Sequence, residues 1–147
     1  MPTFKKLWDS HPYPDSPCAP KFENQCAIRM TVALHGAGIN TALLSGVRCW
    51  HNHTSPSHIL RAQQFAEALA RTSSLLGAGI SVVKKKGTVN DNLTVFSKKK
   101  GVVFIKDGWG STDHIDLWDG LLSLMKGSAD TQDYMSRGKE VWFWEME

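Results

Sequence analysis

The 147-residue sequence has no apolar run long enough for a signal-peptide core or a membrane-spanning helix. Its purely apolar stretches, such as Val102–Ile105, have only the length of a strand. It also shows no repeat of fixed period, since its 12 glycines and 6 prolines are scattered along the chain. We therefore expect a soluble protein without a cleavable export signal, and neither a fibrous nor a disordered one.

The composition favours one globular domain over residues 1–147, because 41% hydrophobic residues can fill a single core at this length. The net charge is only +3, but two lysine runs, Lys84–Lys86 and Lys98–Lys100, concentrate it. These runs indicate either attraction to a polyanion or the solvated rim of a hairpin. Aromatic residues do not interleave with them, so we expect no nucleic acid partner.

Cysteine is scarce, and the odd count of 3 leaves at least one thiol unpaired within the chain. Cys18 and Cys49 lie in segments rich in Pro, His and Asn that we expect to be loops. They could form a disulfide in an oxidising compartment. Cys26 lies in a different setting, at the start of a helical pattern.

The order of secondary-structure patterns predicts an α+β fold with an antiparallel sheet, because helices come first and strands follow without alternation. The first twenty residues are interpreted as a capping turn and loop. A buried helix follows Asn24 as N-cap and ends at Gly36, and a second, amphipathic helix opens at Ser57. The predicted strands are Ser81–Val83, Leu93–Phe96, Gly101–Lys106, His114–Trp118 and Val141–Trp144, with a loop at Asp107–Ser111 and a hairpin turn at Asp119–Gly120.

Cys26 would place its sulfur in the first turn of the first predicted helix. The free backbone N–H groups and the positive end of the helix dipole favour a thiolate there, below the ordinary thiol pKa of about 8.5. The same N–H groups could bind the oxyanion of a tetrahedral intermediate. The alternative is a small buried hydrophobic residue, which is a common role of an unpaired cysteine.

His114 and Asp116 are two residues apart in a predicted strand, so their side chains project from the same face. A carboxylate beside an imidazole orients it as a base and stabilises the imidazolium that forms. The pair could therefore activate Cys26. The alternative is a solvent-facing pair on an antiparallel strand.

Two further features allow more than one interpretation. Cys49, His51, His53 and His58 fall within ten residues and could bind zinc, although their spacing is not that of a zinc finger or ribbon. Trp109, in the glycine-flanked loop before His114, could pack in the core or form one wall of a substrate groove.

Four segments resemble the fourth group of type VI secretion amidase effectors. They are Asn24–Met30 (NQCAIRM), Ser57–Ala62 (SHILRA), Asp113–Gly120 (DHIDLWDG) and Val141–Trp144 (VWFW), which occur in the family's order. The resemblance implies a papain-like fold of the NlpC type, with Cys26 as nucleophile on a helix packed against the sheet that carries His114 as base. Asn24, Gln25 and Trp109 are the candidate substrate contacts.

The resemblance also implies a reaction and a setting. The reaction is hydrolysis of the bond between D-glutamate and meso-diaminopimelate in peptidoglycan stem peptides, without a metal or other cofactor. The producing cell would deliver the enzyme through the type VI machinery into a rival's periplasm. A cognate immunity protein would protect the producer by blocking the cleft, and no membrane insertion is expected.

The sequence departs from the family at the third catalytic position. Some members carry a carboxylate about eleven residues after the histidine, where this chain has Met125. Asp116 is our candidate for that role, with Asp119 and Ser123 as alternatives. The competing hypothesis is a non-catalytic wall-binding module, or a zinc protein built on Cys49, His51 and His53.

Overall fold

A computed structural model describes residues 2–15, 17, 25–48 and 58–147. Within these ranges five antiparallel strands form one sheet in the order β1-β5-β2-β3-β4. No helix in the described ranges has the length and apolar character needed to cross a bilayer. The strands are β1 (Val82–Lys86), β2 (Lys100–Trp109), β3 (Thr112–Asp119), β4 (Leu124–Met125) and β5 (Glu140–Met146). The expected α+β class with an antiparallel sheet is therefore confirmed.

The described helices include two long ones that pack against the sheet and three short ones. They are α1 (Phe4–Ser10), α2 (Cys26–Gly36), α3 (Ala62–Arg71), α4 (Leu93–Phe96) and α5 (Thr131–Met135). Three single 3₁₀ turns lie at Thr41–Leu43, Ser73–Leu76 and Asn90–Asn92.

The sheet separates two apolar clusters because alternate residues of each strand point to opposite faces. Val102 and Phe104 of β2 face a cluster shared with α1, α2 and α3. Val103 and Ile105 face the other, smaller cluster, which includes Phe96 of α4. His114 and Asp116 are the cross-strand partners of Ile105 and Val103, so they lie on the side of the smaller cluster.

Among the described strands, β4 pairs only with Trp118 and Asp119 at the far end of β3. The part of β3 that carries His114 therefore pairs with β2 on one side, and no described strand pairs with it on the other side. Helix α2 contacts β3, and its first residue reaches the His114 end of that strand.

Several predicted elements are wrong in type. The segment interpreted as a capping turn contains helix α1, whose N-cap Thr3 accepts the N–H of Lys6 and whose Phe4 and Leu7 are buried. Leu93–Phe96, predicted as a strand, is helical. Asp107–Trp109, predicted as a loop, continues β2 through an irregularity in the register with β3.

Other elements are correct in type but differ in their bounds. Helix α3 begins at Ala62 rather than Ser57, because Ile59 forms a bridge with Arg48 and donates its N–H to Thr31 Oγ1. Helix α2 has Gln25 rather than Asn24 as its N-cap, without a side-chain capping bond.

The first lysine run forms most of β1, an exposed edge strand rather than a hairpin rim. Lysines on such an edge discourage pairing with another chain.

Candidate active site

Cys26 lies in the first turn of its helix, as the sequence predicted; it is the first residue of α2, and its side chain is buried. Its Sγ lies 3.9 Å from the carbonyl oxygen of Asp113, the residue that precedes His114. The start of the helix therefore meets the start of β3. Because the helix begins at this residue, the sulfur lies beside backbone N–H groups that have no partner within the helix.

His114 and Asp116 contact each other directly. The Nε2 atom of His114 is 2.8 Å from Oδ2 of Asp116, and both side chains are buried. This arrangement follows from the two-residue repeat of β3. It excludes the solvent-facing alternative for the pair.

The electrostatics of His114 depend on its two partners. Burial by itself would lower the pKa of this imidazole, but hydrogen bonds to Asp116 and Cys26 outweigh burial and raise the pKa to about 9. At neutral pH the ring is therefore an imidazolium, which donates from Nε2 to Asp116. The Nδ1 atom is left to bond the side chain of Cys26.

Asp116 is held by backbone donors as well as by His114. The N–H of Leu117 donates to Oδ1 at 2.7 Å, and the N–H of Gly127 lies 2.8 and 3.0 Å from the two carboxylate oxygens. A Cβ atom at residue 127 would come within 3.1 Å of Oδ1. The backbone can therefore approach the carboxylate this closely because residue 127 is glycine.

The other candidates for the third position lie elsewhere. Asp119 accepts N–H groups from Leu121 and Leu122 in the turn after β3. It is five residues from His114 along the strand, which corresponds to roughly 16 Å. Ser123 lies in the same turn with a φ of 50°, and Met125 is buried opposite Trp118. Of the candidates, the structure brings only Asp116 to His114.

His11, which the sequence analysis missed, lies on the far side of Asp116. Its Nε2 is 3.7 Å from Oδ1 of Asp116, and both side chains are buried. Burial lowers the pKa of His11 to about 4, and the attraction of Asp116 only partly opposes this effect. His11 is therefore a neutral imidazole at pH 7.

Tyr134, also missed, completes an aromatic wall beside His114. Its ring centroid lies 4.7 Å from the rings of both His114 and Trp109. Burial, and then the negative charges of Asp116 and Cys26, raise the pKa of Tyr134. The guanidinium of Arg137 lies 5.2 Å from the centre of the Trp109 ring. Trp109 is thus half-buried, packs against the smaller apolar cluster and also borders the site.

The remaining predicted residues are only partly described. Gln25 is buried immediately before Cys26, whereas Asn24 falls outside the described residues. Cys18, Cys49, His51 and His53 also fall outside them, so the disulfide and the zinc cluster stay predictions. Among the described side chains no group of three or more suits a metal ion, and His58 is buried.

Residues 22–144 match the family model described as type VI secretion system (T6SS), amidase effector protein 4. The chain belongs to this amidase effector family. The match spans Cys26, His114, Asp116 and Tyr134, whereas His11 precedes it. No curated protein matches the chain.

Solved structures of this family share the fold. One, the effector–immunity system Tae4/Tai4 from Salmonella typhimurium as a selenomethionine variant, has a TM-score of 0.71 at 18% identity, covering 100% of this chain and 99% of that one. The type VI effector Tae4 from Enterobacter cloacae gives 0.64 at 18% identity, with 100% and 98% covered. A complex of Salmonella typhimurium Tae4 with the immunity protein Tai4 from Enterobacter cloacae gives 0.63 at 18% identity, with 99% of each chain covered.

Proposed function

We propose that this amidase effector is a cysteine hydrolase that cleaves the bond between D-glutamate and meso-diaminopimelate in peptidoglycan stem peptides. The observation that carries the proposal is the buried His114–Asp116 pair at 2.8 Å, with Cys26 hydrogen-bonded to the same imidazole. A thiol, a base and an orienting carboxylate in contact are the elements of nucleophilic amide hydrolysis. The family supplies the class of reaction, and the specific bond rests on the resemblance of the four sequence segments.

In the acylation step the Cys26 thiolate attacks the amide carbonyl carbon and forms a tetrahedral intermediate. Its oxyanion would accept hydrogen bonds from the N–H groups at the start of α2. The C–N bond then breaks, and His114 gives its proton to the departing diaminopimelate amine. The product is a thioester between Cys26 and the glutamate side-chain carbonyl.

In the deacylation step the now neutral His114 takes a proton from water. The hydroxyl attacks the thioester carbonyl, the C–S bond breaks, and the Cys26 thiolate is restored beside an imidazolium, while the new carboxylic acid loses its proton to solvent. Asp116 stays ionised and holds Nε2 of His114 in place throughout both steps. The proton given to the amine and the proton taken from water thus both pass through His114, and no metal is required.

The substrate approach and biological setting complete the proposal. The ring of Trp109, with Gln25 and Asn24 beside the nucleophile, would contact the stem peptide. The fold would be of the papain-like NlpC type. The enzyme would act in the periplasm of a target bacterium after type VI delivery, and a cognate immunity protein would protect the producing cell.

The test compares wild-type protein with Cys26→Ala on purified sacculi. Solubilised peptide is measured with and without EDTA, and Cys18→Ala serves as the matched cysteine control. We expect Cys26→Ala to lose all measurable release and the control to keep wild-type release. Wild-type release should persist in EDTA. Undiminished release by Cys26→Ala would end the cysteine mechanism, and loss of release in EDTA would favour a zinc enzyme.

A further inference from the structure

The segment before α2 brings a second imidazole to the candidate catalytic carboxylate. His11 directly follows helix α1, where its backbone N–H bonds to the carbonyl of Leu7. Its side chain is 1% exposed and faces an Asp116 side chain that is 0% exposed. Oδ1 of Asp116 is thus flanked by His11, while Oδ2 is bonded to His114.

The hydrogen bonds of His11 define its tautomer. The backbone N–H of Tyr13 donates to Nδ1 of His11 at 3.3 Å. A neutral imidazole whose Nδ1 accepts a hydrogen bond carries its proton on Nε2. His11 therefore presents an N–H group, rather than a lone pair, toward Oδ1 of Asp116.

Two neighbours hold the His11 ring against the carboxylate. A Cβ atom on Gly127 would meet both Oδ1 of Asp116 and Cε1 of His11 at 3.1 Å, so the Gly127 backbone fills the space beside both groups. Arg29 of α2 ties down the chain after His11, with Nε donating to the carbonyl of Asp15 at 2.9 Å. Its guanidinium also lies 5.0 Å from the centre of the Tyr13 ring.

We propose that His11 is a positioning residue of the active site, whose Nε2–H keeps the Asp116 carboxylate turned toward His114. The separation of 3.7 Å is longer than a hydrogen bond. Such contacts often shorten when substrate closes the site. The assignment rests on the proposed function, and it gives a catalytic purpose to a segment outside the matched residues 22–144.

The charge around His11 fits this role. The charges that act on His11 are those of Asp116, Arg29, Lys126 and His114. Three of the four are cationic when His114 is protonated, and they oppose a positive charge on His11. A neutral His11 can direct its Nε2–H at Asp116 without competing with the His114 imidazolium for the negative charge.

Two substitutions test separately the contact of His11 Nδ1 with the Tyr13 N–H and the contact of His11 Nε2 with Asp116. His11→Asn keeps an oxygen near Nδ1 for the Tyr13 N–H but is too short to reach Asp116. His11→Gln places an amide N–H near the position of Nε2. We expect kcat on sacculi to fall about tenfold in His11→Asn and to stay within about threefold of wild type in His11→Gln, with KM little changed in both.

A second readout needs no substrate. The pH dependence of Cys26 alkylation by iodoacetamide, followed by peptide mass spectrometry, reports the thiolate–imidazolium pair directly. We expect the midpoint to move up by about one pH unit in His11→Asn and to stay near the wild-type value in His11→Gln. His35→Gln, at an exposed histidine of α2, is the matched control.

Thermal unfolding of each variant shows whether a loss reflects folding. Equal losses of kcat in both His11 variants, with Cys26 alkylation as in wild type, would overturn the proposal and leave His11 a structural residue. Wild-type kcat and alkylation in His11→Asn would overturn it as well. If the wild type does not cleave sacculi at all, the proposed function fails, and the alkylation profiles still decide whether His11 acts on the Cys26–His114 pair.

Discussion

Two regions of the molecule differ sharply in their chemistry. The groove beside the edge strand β1 has a volume of about 820 Å³ and is lined by residues such as Val83, Lys85 and Phe143. Its charged groups stay in solvent, as in the Lys99–Glu145 pair at 3.9 Å, whose side chains are 40% and 58% exposed. The Cys26 site instead buries a thiol, two imidazoles and a carboxylate side by side.

The difference between the two regions is therefore one of burial rather than of cavity size. An exposed ion pair is screened by water and contributes little. A buried carboxylate must be paired, and Asp116 is paired with His114 and two backbone N–H groups. That enforced pairing raises the pKa of His114 and creates a candidate acid and base.

The largest expected effect concerns the carboxylate of the buried site. Asp116→Asn should lower kcat about 10³-fold, because an amide cannot stabilise the His114 imidazolium and can favour the wrong tautomer. Asp119→Asn is the matched control and should stay within about threefold of wild type, since its amide oxygen can still accept the Leu121 N–H. Steady-state kinetics on a soluble stem peptide would measure both. A larger loss of kcat in Asp119→Asn than in Asp116→Asn would instead assign the third catalytic position to Asp119.

The pH dependence tests the charge state of His114. Its pKa is raised from 6.5 to about 9, so the imidazolium is present below about pH 9 and is lost above it. We expect kcat/KM to fall about tenfold per pH unit above that value. The same shift stabilises the fold most below about pH 6.5, and this contribution is lost as pH rises from 6.5 to about 9. A rate that stays level to pH 10 would contradict the assignment.

A smaller effect is expected at the aromatic wall. Trp109→Leu should raise KM about fivefold because the substrate loses a large flat contact surface, while kcat changes less. Tyr134→Phe keeps the ring that packs against Trp109 and His114, so it should change KM less than Trp109→Leu does. Isothermal titration of a stem peptide into the Cys26→Ala variant, with and without the added Trp109→Leu substitution, would measure binding alone. Unchanged affinity in Trp109→Leu would remove Trp109 from the substrate site.

The smallest effect is expected at the groove. Replacing Val83 and Lys85 together with serine should leave kcat/KM within about twofold of wild type, because surface changes remote from the site rarely alter it. The assay is the one used for Asp116→Asn. A tenfold loss would show that the groove takes part in catalysis and would break the contrast between the two regions.

The sequence predicts the geometry of the candidate site well because local rules govern it. The start of a helix places Cys26, and the two-residue period of a strand joins His114 to Asp116. The α+β class follows from the same local patterns. These signals need no knowledge of how distant segments meet.

The positions of His11 and Tyr134 beside the candidate site could not be predicted because they depend on contacts between distant segments. His11 reaches Asp116 across 105 positions of the chain, and Tyr134 stands on a helix of 5 residues, too short for a clear period. The strand prediction for Leu93–Phe96 is wrong because a run of four apolar and β-branched residues fits either a strand or a helical turn. A backbone donor such as Gly127 leaves no side-chain signal at all.

The central claim is that Cys26, His114 and Asp116 hydrolyse one amide bond of the stem peptide. Mass spectrometry of muropeptides from wild-type digests of purified sacculi tests it most directly, because the new termini identify the bond. The account predicts a free amine on diaminopimelate and a free side-chain carboxylate on D-glutamate, both absent from the Cys26→Ala digest. New termini at any other bond, or the same termini in the Cys26→Ala digest, would contradict it.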